Sequence, residues 1–242
     1  MKTLLIDAGN TYIKTAETQK GKTSPEKTLR TSVASEQKLK NTLKNASRCV
    51  CCSVVPDVTA VLKKICKENK TKIYFVTSGD IPEIKLRYNS PKDIGADRIA
   101  SIMGALTKTS PPFIIIDSGS AVTCELVDKN SVYRGGVIFP GIELSLNTLN
   151  KGTALLPKIK FSRPRGGPGT NTAECIKKGV WASMCGGIEK TVSSFLAKEP
   201  SATVFLTGAG AGFFRKTDFP FRYRKEPALV FAGLLQFYKK IV

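Results

Sequence analysis

The sequence predicts an α/β protein built from two related halves. Apolar runs bounded by turn residues alternate with longer helix-periodic stretches along the chain. Hydrophobic residues make up 41% of the 242 positions, enough for a sizeable core. One strand-turn-strand pattern also occurs twice, as Leu4-Leu5-Ile6-Asp7-Ala8-Gly9-Asn10-Thr11 and as Ile114-Ile115-Ile116-Asp117-Ser118-Gly119-Ser120-Ala121. In both, an apolar strand ends in Asp-x-Gly-polar and turns straight into another strand. Two copies in corresponding positions predict a duplicated fold with halves at residues 1–110 and 111–242. A cleft between two such halves would set the two turns face to face. Taken singly, an Asp-x-Gly segment is also what an ordinary hairpin turn uses.

In the first half, strands are expected at Lys2–Ile6, Tyr12–Glu17, Lys27–Thr31, Arg48–Val55 and Lys72–Val76, and helices at Ser35–Asn45, Asp57–Glu68 and Ala96–Leu106. Thr109-Ser110-Pro111-Pro112 then breaks the helical pattern. The second half is expected to hold strands at Phe113–Asp117, Ala121–Val127, Val132–Ile138 and Thr203–Leu206. Its helices are expected at Ile142–Asn150, Thr172–Leu196 and Ala228–Lys240. The last is amphipathic and closes on Lys239 and Lys240, as the helix dipole favours.

Composition removes whole classes of chemistry. The chain has no histidine, so Ser-His-Asp and Cys-His triads, His-zinc sites and imidazole bases are excluded, and proton transfer falls to carboxylate, Lys, Tyr or Cys. No apolar run approaches the ~20 residues that span a bilayer, and the chain enters a strand directly, so a cytoplasmic protein without a membrane partner is expected. The seven cysteines are odd in number, and Cys49, Cys51 and Cys52 sit in an apolar run where free Cys behaves as a small hydrophobe; reduced, buried thiols are expected. The formal charge is +19, spread from Lys20, Lys22, Lys27 and Arg30 to Arg215, Lys216, Arg222, Arg224 and Lys225. It is read as a solvated surface, as steering of small anions, or as an attraction to nucleic acid. No helix-turn-helix, zinc-finger or RNP-type signature supports the last of these, so nucleic acid is not the expected partner.

The motifs point to phosphate chemistry. In Asp7-Ala8-Gly9-Asn10-Thr11, Gly9 permits close approach of the backbone to a ligand, Asn10 and Thr11 bring side-chain donors, and the turn offers N–H groups to phosphate oxygens. Lys14 lies one strand step beyond. An Asp at a strand end suits Mg²⁺ held through water, because magnesium keeps several waters and takes one or two carboxylates. The G-x-x-x-x-G-K-[ST] pattern of a P-loop is absent. Gly208-Ala209-Gly210-Ala211-Gly212 lacks the last glycine of a dinucleotide fingerprint and reads as a glycine turn beside a nucleotide. Gly95-Ala96-Asp97-Arg98 opens a helix, where orphan N–H groups gather anions; Asp97 is either a helix-start residue or a base, and Arg98 beside it suits an anionic substrate.

Together these segments resemble the type III pantothenate kinases, also called Bvg accessory factor proteins, of the acetate and sugar kinase/Hsp70/actin superfamily. The resemblance rests on Asp7 to Thr11 with Lys14, Ser53-Val54-Val55-Pro56, Tyr88-Asn89-Ser90-Pro91 leading into Gly95 to Arg98, Asp117 to Thr123, Gly135 to Gly141, Thr153 to Pro157, Gly169 to Thr172, Gly179 and Thr207-Gly208. They follow the family's order across nearly the whole chain.

The resemblance implies a duplicated actin-like (ribonuclease H-like) fold with two α/β halves around an ATP cleft, and ATP-dependent phosphorylation of pantothenate, the first step of coenzyme A synthesis. It implies that Asp7, Ala8, Gly9, Asn10, Thr11, Tyr12, Ile13 and Lys14 bind ATP phosphates and Mg²⁺, with Asp7 acting on the metal through water. Asp97 matches the general base. Tyr88, Gly95, Ala96, Asp97, Arg98 and Thr172 match pantothenate contacts. Asp117 matches the ligand of an activating monovalent cation, K⁺ or NH₄⁺, and Ser120 stands where the family has a nucleotide-contacting Thr, keeping the hydroxyl. A homodimer is implied, with Trp181 either a buried anchor for it or part of the core. The Lys158–Gly167 segment reads as a basic loop elaboration. The alternatives are a catalytically weak accessory protein binding nucleic acid, and a kinase of another small hydroxyl compound.

Overall fold

The structure, a computed structural model, describes residues 2–19, 22–24 and 26–241. Met1, Lys20, Gly21, Pro25 and Val242 lie outside the described residues, as does the side chain of Lys22. The strands are β1 (Thr3–Ala8), β2 (Tyr12–Gln19), β3 (Lys22–Thr23), β4 (Lys27–Arg30), β5 (Arg48–Ser53), β6 (Lys72–Phe75), β7 (Lys85–Leu86), β8 (Phe113–Ser118), β9 (Ala121–Val127), β10 (Val132–Pro140), β11 (Thr203–Thr207) and β12 (Arg224–Lys225). The α-helices are α1 (Glu36–Leu43), α2 (Pro56–Glu68), α3 (Ala96–Leu106), α4 (Ile142–Lys151), α5 (Thr172–Leu196) and α6 (Leu229–Ile241). The chain divides into two compact units, Met1–Thr109 with Ala228–Val242, and Ser110–Pro227.

In the first unit the sheet runs β3-β2-β1-β5-β6, with β4 also on β2. β1 is antiparallel to β2 and parallel to β5, which is parallel to β6. Alternation divides β1 and β5 between two faces. Leu4, Ile6, Ala8, Cys49 and Cys51 join Leu39 and Leu43 of α1 and Val58, Leu62 and Ile65 of α2 in one buried cluster. The intervening residues, Leu5, Asp7, Val50 and Cys52, belong to the other face, and α6 packs on β1 and β5. Local chemistry sets the helix starts. Ser35 accepts from the Lys38 N–H at 3.3 Å to cap α1, and α2 opens on Pro56, whose missing N–H costs nothing at a first turn.

The expected second half, residues 111–242, differs from the compact unit at its end, because α6 belongs with residues 1–109. Two glycines explain this. A Cβ on Gly233 of α6 would overlap the Ala100 carbonyl of α3, and one on Gly104 would overlap the Leu229 carbonyl, so the two helices cross at backbone contact.

The second unit has the strand order β12-β11-β8-β9-β10. β8 is antiparallel to β9 and parallel to β11, β11 is parallel to β12, and β9 is antiparallel to β10 with a bulge between Tyr133 and Gly136. The path β9-β8-β11-β12 thus repeats β2-β1-β5-β6 in order and direction, as the duplicated motif predicts. Ile176, Val180, Met184, Ile188 and Val192 of α5, one turn apart, pack with Ile142 and Leu146 of α4 over Ile114, Ile116, Val122 and Cys124 of the sheet.

Trp181 stays within this unit, 5.1 Å from the Phe214 ring and 5.9 Å from Phe161. The Lys158–Gly167 loop is pinned by its own cations. Arg163 donates to both Asp218 carboxylate oxygens and to the Phe213 carbonyl, each at 2.6 Å, and its guanidinium lies 4.8 Å from the Trp181 ring centre. Lys178 Nζ donates to the carbonyls of Arg165, Gly166 and Gly167. Cys49, Cys51, Cys52, Cys66 and Cys124 are free and buried, Cys185 is half-buried and Cys175 exposed. Among the described residues no helix is long and apolar enough to cross a membrane.

Candidate active site

Two polar groups stand out, one at each Asp-x-Gly hairpin. In the first unit Asp7 ends β1, opposite Lys14 of β2 and beside Cys52 of β5. The hairpin closes through a Gly9 N–H to Tyr12 carbonyl bond of 3.0 Å. Thr31 braces the turn, donating its hydroxyl to the Gly9 carbonyl at 2.7 Å and its N–H to the Thr11 carbonyl at 3.0 Å. Asn10 is exposed, Gly9, Thr11, Tyr12 and Lys14 are half-buried, and Ala8 and Ile13 are buried. Ala8 and Ile13 are thus the buried flanks of the turn, and Asn10 is its solvent-facing residue. The Arg30 guanidinium sits 5.3 Å from the Tyr12 ring centre.

The carboxyl of Asp7 is pushed up to about 6, first by loss of water around it, with Lys14 pulling it down and the Asp97 carboxylate pushing it up. That coupling brings residues from opposite ends of the first unit together. Asp97 lies in the first turn of α3, where its Oδ1 accepts from the Arg98 N–H at 2.8 Å. Gly95 precedes the helix because a Cβ there would lie 2.5 Å from Asp97 Oδ1. Arg98 is buried, with its guanidinium 5.8 Å from the ring centre of the partly exposed Tyr88. The structure thus brings Asp7, Lys14 and Asp97 together, and Arg98 with Tyr88.

In the second unit Asp117 ends β8 between Thr123 of β9 and Thr207 of β11. Its hairpin closes through Gly119 N–H to the Ala121 carbonyl at 3.1 Å, one residue tighter than the first. Gly208 follows β11 with φ +88°, and a Cβ there would overlap Asp117 Oδ1 and the Ser118 backbone. The glycine turn anticipated beside a nucleotide is therefore the seat of Asp117. Ser120 is half-buried, and its carbonyl accepts from the Gly141 N–H at 3.0 Å. Thr172 is the exposed first residue of α5, after the Asn171 cap. Asp117, Ser120 and Thr172 belong to this unit, and Asp7, Tyr88, Asp97 and Arg98 to the other.

Sequence reading missed Cys52 as a polar partner, taking the cysteine run as packing alone. Its Sγ lies 3.5 Å from Asp7 Oδ1. The register of β1 on β5 decides this, and no local pattern encodes it.

The residues at the first turn fit a magnesium ion. A half-buried carboxylate with a second carboxylate acting on it is relieved by a cation. Among the described residues no cluster of three or more His, Cys, Asp or Glu could hold a metal on its own.

A family profile for type III pantothenate kinases matches residues 3–194. The chain belongs to the type III pantothenate kinase family. It is 34% identical over 223 residues to the type III pantothenate kinase of Thermosipho africanus, covering 88% of this chain and 89% of that one. It is 33% identical over 224 residues to that of Fervidobacterium nodosum, covering 88% of each. Its 37% identity to the Sulfurihydrogenibium protein of the same name spans 62% of this chain and 60% of that one. Among solved structures, a Baf family protein of Campylobacter jejuni has a TM-score of 0.60 at 21% identity over 98% of each chain. MreB 5 of Spiroplasma citri, bound to AMPPNP, has a TM-score of 0.54 at 10% identity, covering 99% of this chain and 96% of that one. At these identities the likeness is one of fold: the chain has the actin-like fold that the resemblance to the kinase family implies.

Proposed function

We propose that the chain transfers the terminal phosphoryl group of ATP to the primary hydroxyl of pantothenate, giving 4'-phosphopantothenate, the opening step of coenzyme A synthesis. The observation that carries this reading is the pair of carboxylates, Asp7 and Asp97, acting on one another in a chain whose family profile is that of pantothenate kinases. Phosphoryl transfer asks a protein mainly for positioning and charge stabilisation. Asp97 orients the hydroxyl and accepts its proton as the oxygen attacks phosphorus and the bond to ADP breaks. The Arg98 N–H donated to Asp97 fixes that carboxylate, and the Arg98 guanidinium with Tyr88 grips the anionic substrate. Lys14 and the backbone of Ala8 to Ile13 hold the phosphates. Mg²⁺, when bound, neutralises phosphate charge, and Asp7 engages it through water.

Asp117 is assigned to a monovalent cation, K⁺ or NH₄⁺. Its setting supports this, with Thr123 opposite it on β9 and Thr207 beside it on β11, both oxygen-bearing. Ser120 is assigned to the nucleotide. The protein is assigned to the cytoplasm, where its buried free thiols remain reduced, and to a homodimer. Trp181 packs against Phe214 and Phe161 within its own unit, which supports the core reading of that residue. The test is mass-spectrometric detection of phosphorylated pantothenate from purified protein, ATP, Mg²⁺ and pantothenate. Product that depends on pantothenate supports the reading. ATP consumed only with another hydroxyl substrate contradicts it.

A further inference from the structure

Cys52, the last residue but one of β5, lies directly beside Asp7 in the parallel register of β1 on β5. The two side chains share the sheet face on which α6 packs. Cys52 is fully buried, at 0% exposure, and its Sγ lies 3.5 Å from Asp7 Oδ1, so the thiol donates to the carboxylate. Among the described residues, Lys14 and Asp97 act on Asp7 through charge, whereas Cys52 holds one particular oxygen.

We propose that Cys52 is a positioning residue for Asp7: its thiol, presented from the neighbouring strand, engages Oδ1, fixes the carboxylate rotamer and reserves Oδ2 for the hydrated metal of the nucleotide complex. This rests on the reading of Asp7 as the group that engages that metal. A thiol is a weak donor with a long reach. It suits a position where the carboxylate must be oriented yet still give up electron density to a cation. A buried serine has a shorter bond and could keep the same role with a small side-chain adjustment; alanine cannot.

The test compares Cys52→Ala, Cys52→Val and Cys52→Ser with the wild type by calorimetric titration of MgADP in the absence of pantothenate, by melting temperature, and by the separate KM values for MgATP and pantothenate. Loss of one modest hydrogen bond to a ligand-binding group is expected to weaken MgADP by roughly fivefold in Cys52→Ala and Cys52→Val. The pantothenate KM stays within about twofold, and Cys52→Ser recovers MgADP affinity to within about twofold. Cys52→Val keeps the apolar volume and serves if the alanine variant does not fold. MgADP affinity unchanged in Cys52→Val, or equally weak in Cys52→Ser and Cys52→Ala, overturns the proposal. Asp7→Asn is titrated alongside. If it binds MgADP like the wild type, the reading of Asp7 fails and the proposal with it; if it binds weakly while Cys52→Val binds normally, only the role of Cys52 fails.

Discussion

The two Asp-x-Gly hairpins share strand order, direction and an acidic residue at the strand end, yet their surroundings are chemically opposite. Asp7 faces Lys14 across its hairpin, feels the Asp97 carboxylate and takes a thiol from the next strand. Asp117 faces Thr123, has Thr207 on its other side, and lies against the glycine turn at Gly208. The first turn is braced by hydrogen bonds from Thr31, the second by close backbone packing at Gly208 and Gly141. A duplicated scaffold therefore supplies two carboxylates at equivalent places, and neighbouring strands differentiate them. The first sits between a lysine and a second carboxylate. The second sits between Thr123 and Thr207, under the glycine turn.

The largest expected effect lies on the first side. Asp97→Asn keeps an oxygen to accept from the Arg98 N–H and should fold normally, yet steady-state turnover should fall by about 10²-fold or more if the carboxylate takes the proton. Turnover within threefold of the wild type would remove Asp97 as the base. On the second side the expected effect is on stability. Gly208→Ala forces a side chain into a left-handed backbone, at φ +88°, against Asp117, and should cost about 1–3 kcal/mol in urea unfolding. Gly119→Ala places its Cβ 3.4 Å from Asp117 Oδ1, an ordinary contact, and should cost less than about 1 kcal/mol. Equal costs would mean that the glycine turn is not the seat of Asp117.

A smaller effect tests what anchors that glycine turn. Arg163 ties the Phe213 carbonyl, at the end of the turn, to Asp218. The Arg163 guanidinium holds the Asp218 carboxyl below its ordinary value. A depressed carboxyl contributes stability above its unfolded value of about 4 and loses it as pH falls through the folded one. Arg163→Ala should thus be less stable than the wild type by about 1–2 kcal/mol at pH 7, with the gap narrowing below about pH 4. A gap independent of pH would mean that Arg163 acts through packing on Trp181 instead.

Much of this was legible in the sequence because it is local. Apolar runs and turn residues place the strands, the repeated Asp-x-Gly announces the duplication, and Gly95 to Arg98 marks a helix start. What was not legible depends on contacts far apart in the chain. The last helix follows the second unit in sequence, yet Gly233 and Gly104 join it to α3. Cys52 looks like one more buried hydrophobe, because a one-residue change of strand register would turn it to the other face. In the sequence the Lys158–Gly167 segment reads only as a basic elaboration, since the partner of Arg163 is Asp218, beyond the whole of α5.

The difference between the two turns is tested most directly by turnover of the wild type, Asp7→Asn and Asp117→Asn in potassium and in sodium, with ATP and pantothenate saturating. The wild type should be severalfold faster in potassium. Asp117→Asn should lose most of that preference, and Asp7→Asn, though slower in both salts, should keep it. Equal wild-type rates in the two salts, or a preference that survives in Asp117→Asn and vanishes in Asp7→Asn, would contradict the assignment of the monovalent cation to Asp117.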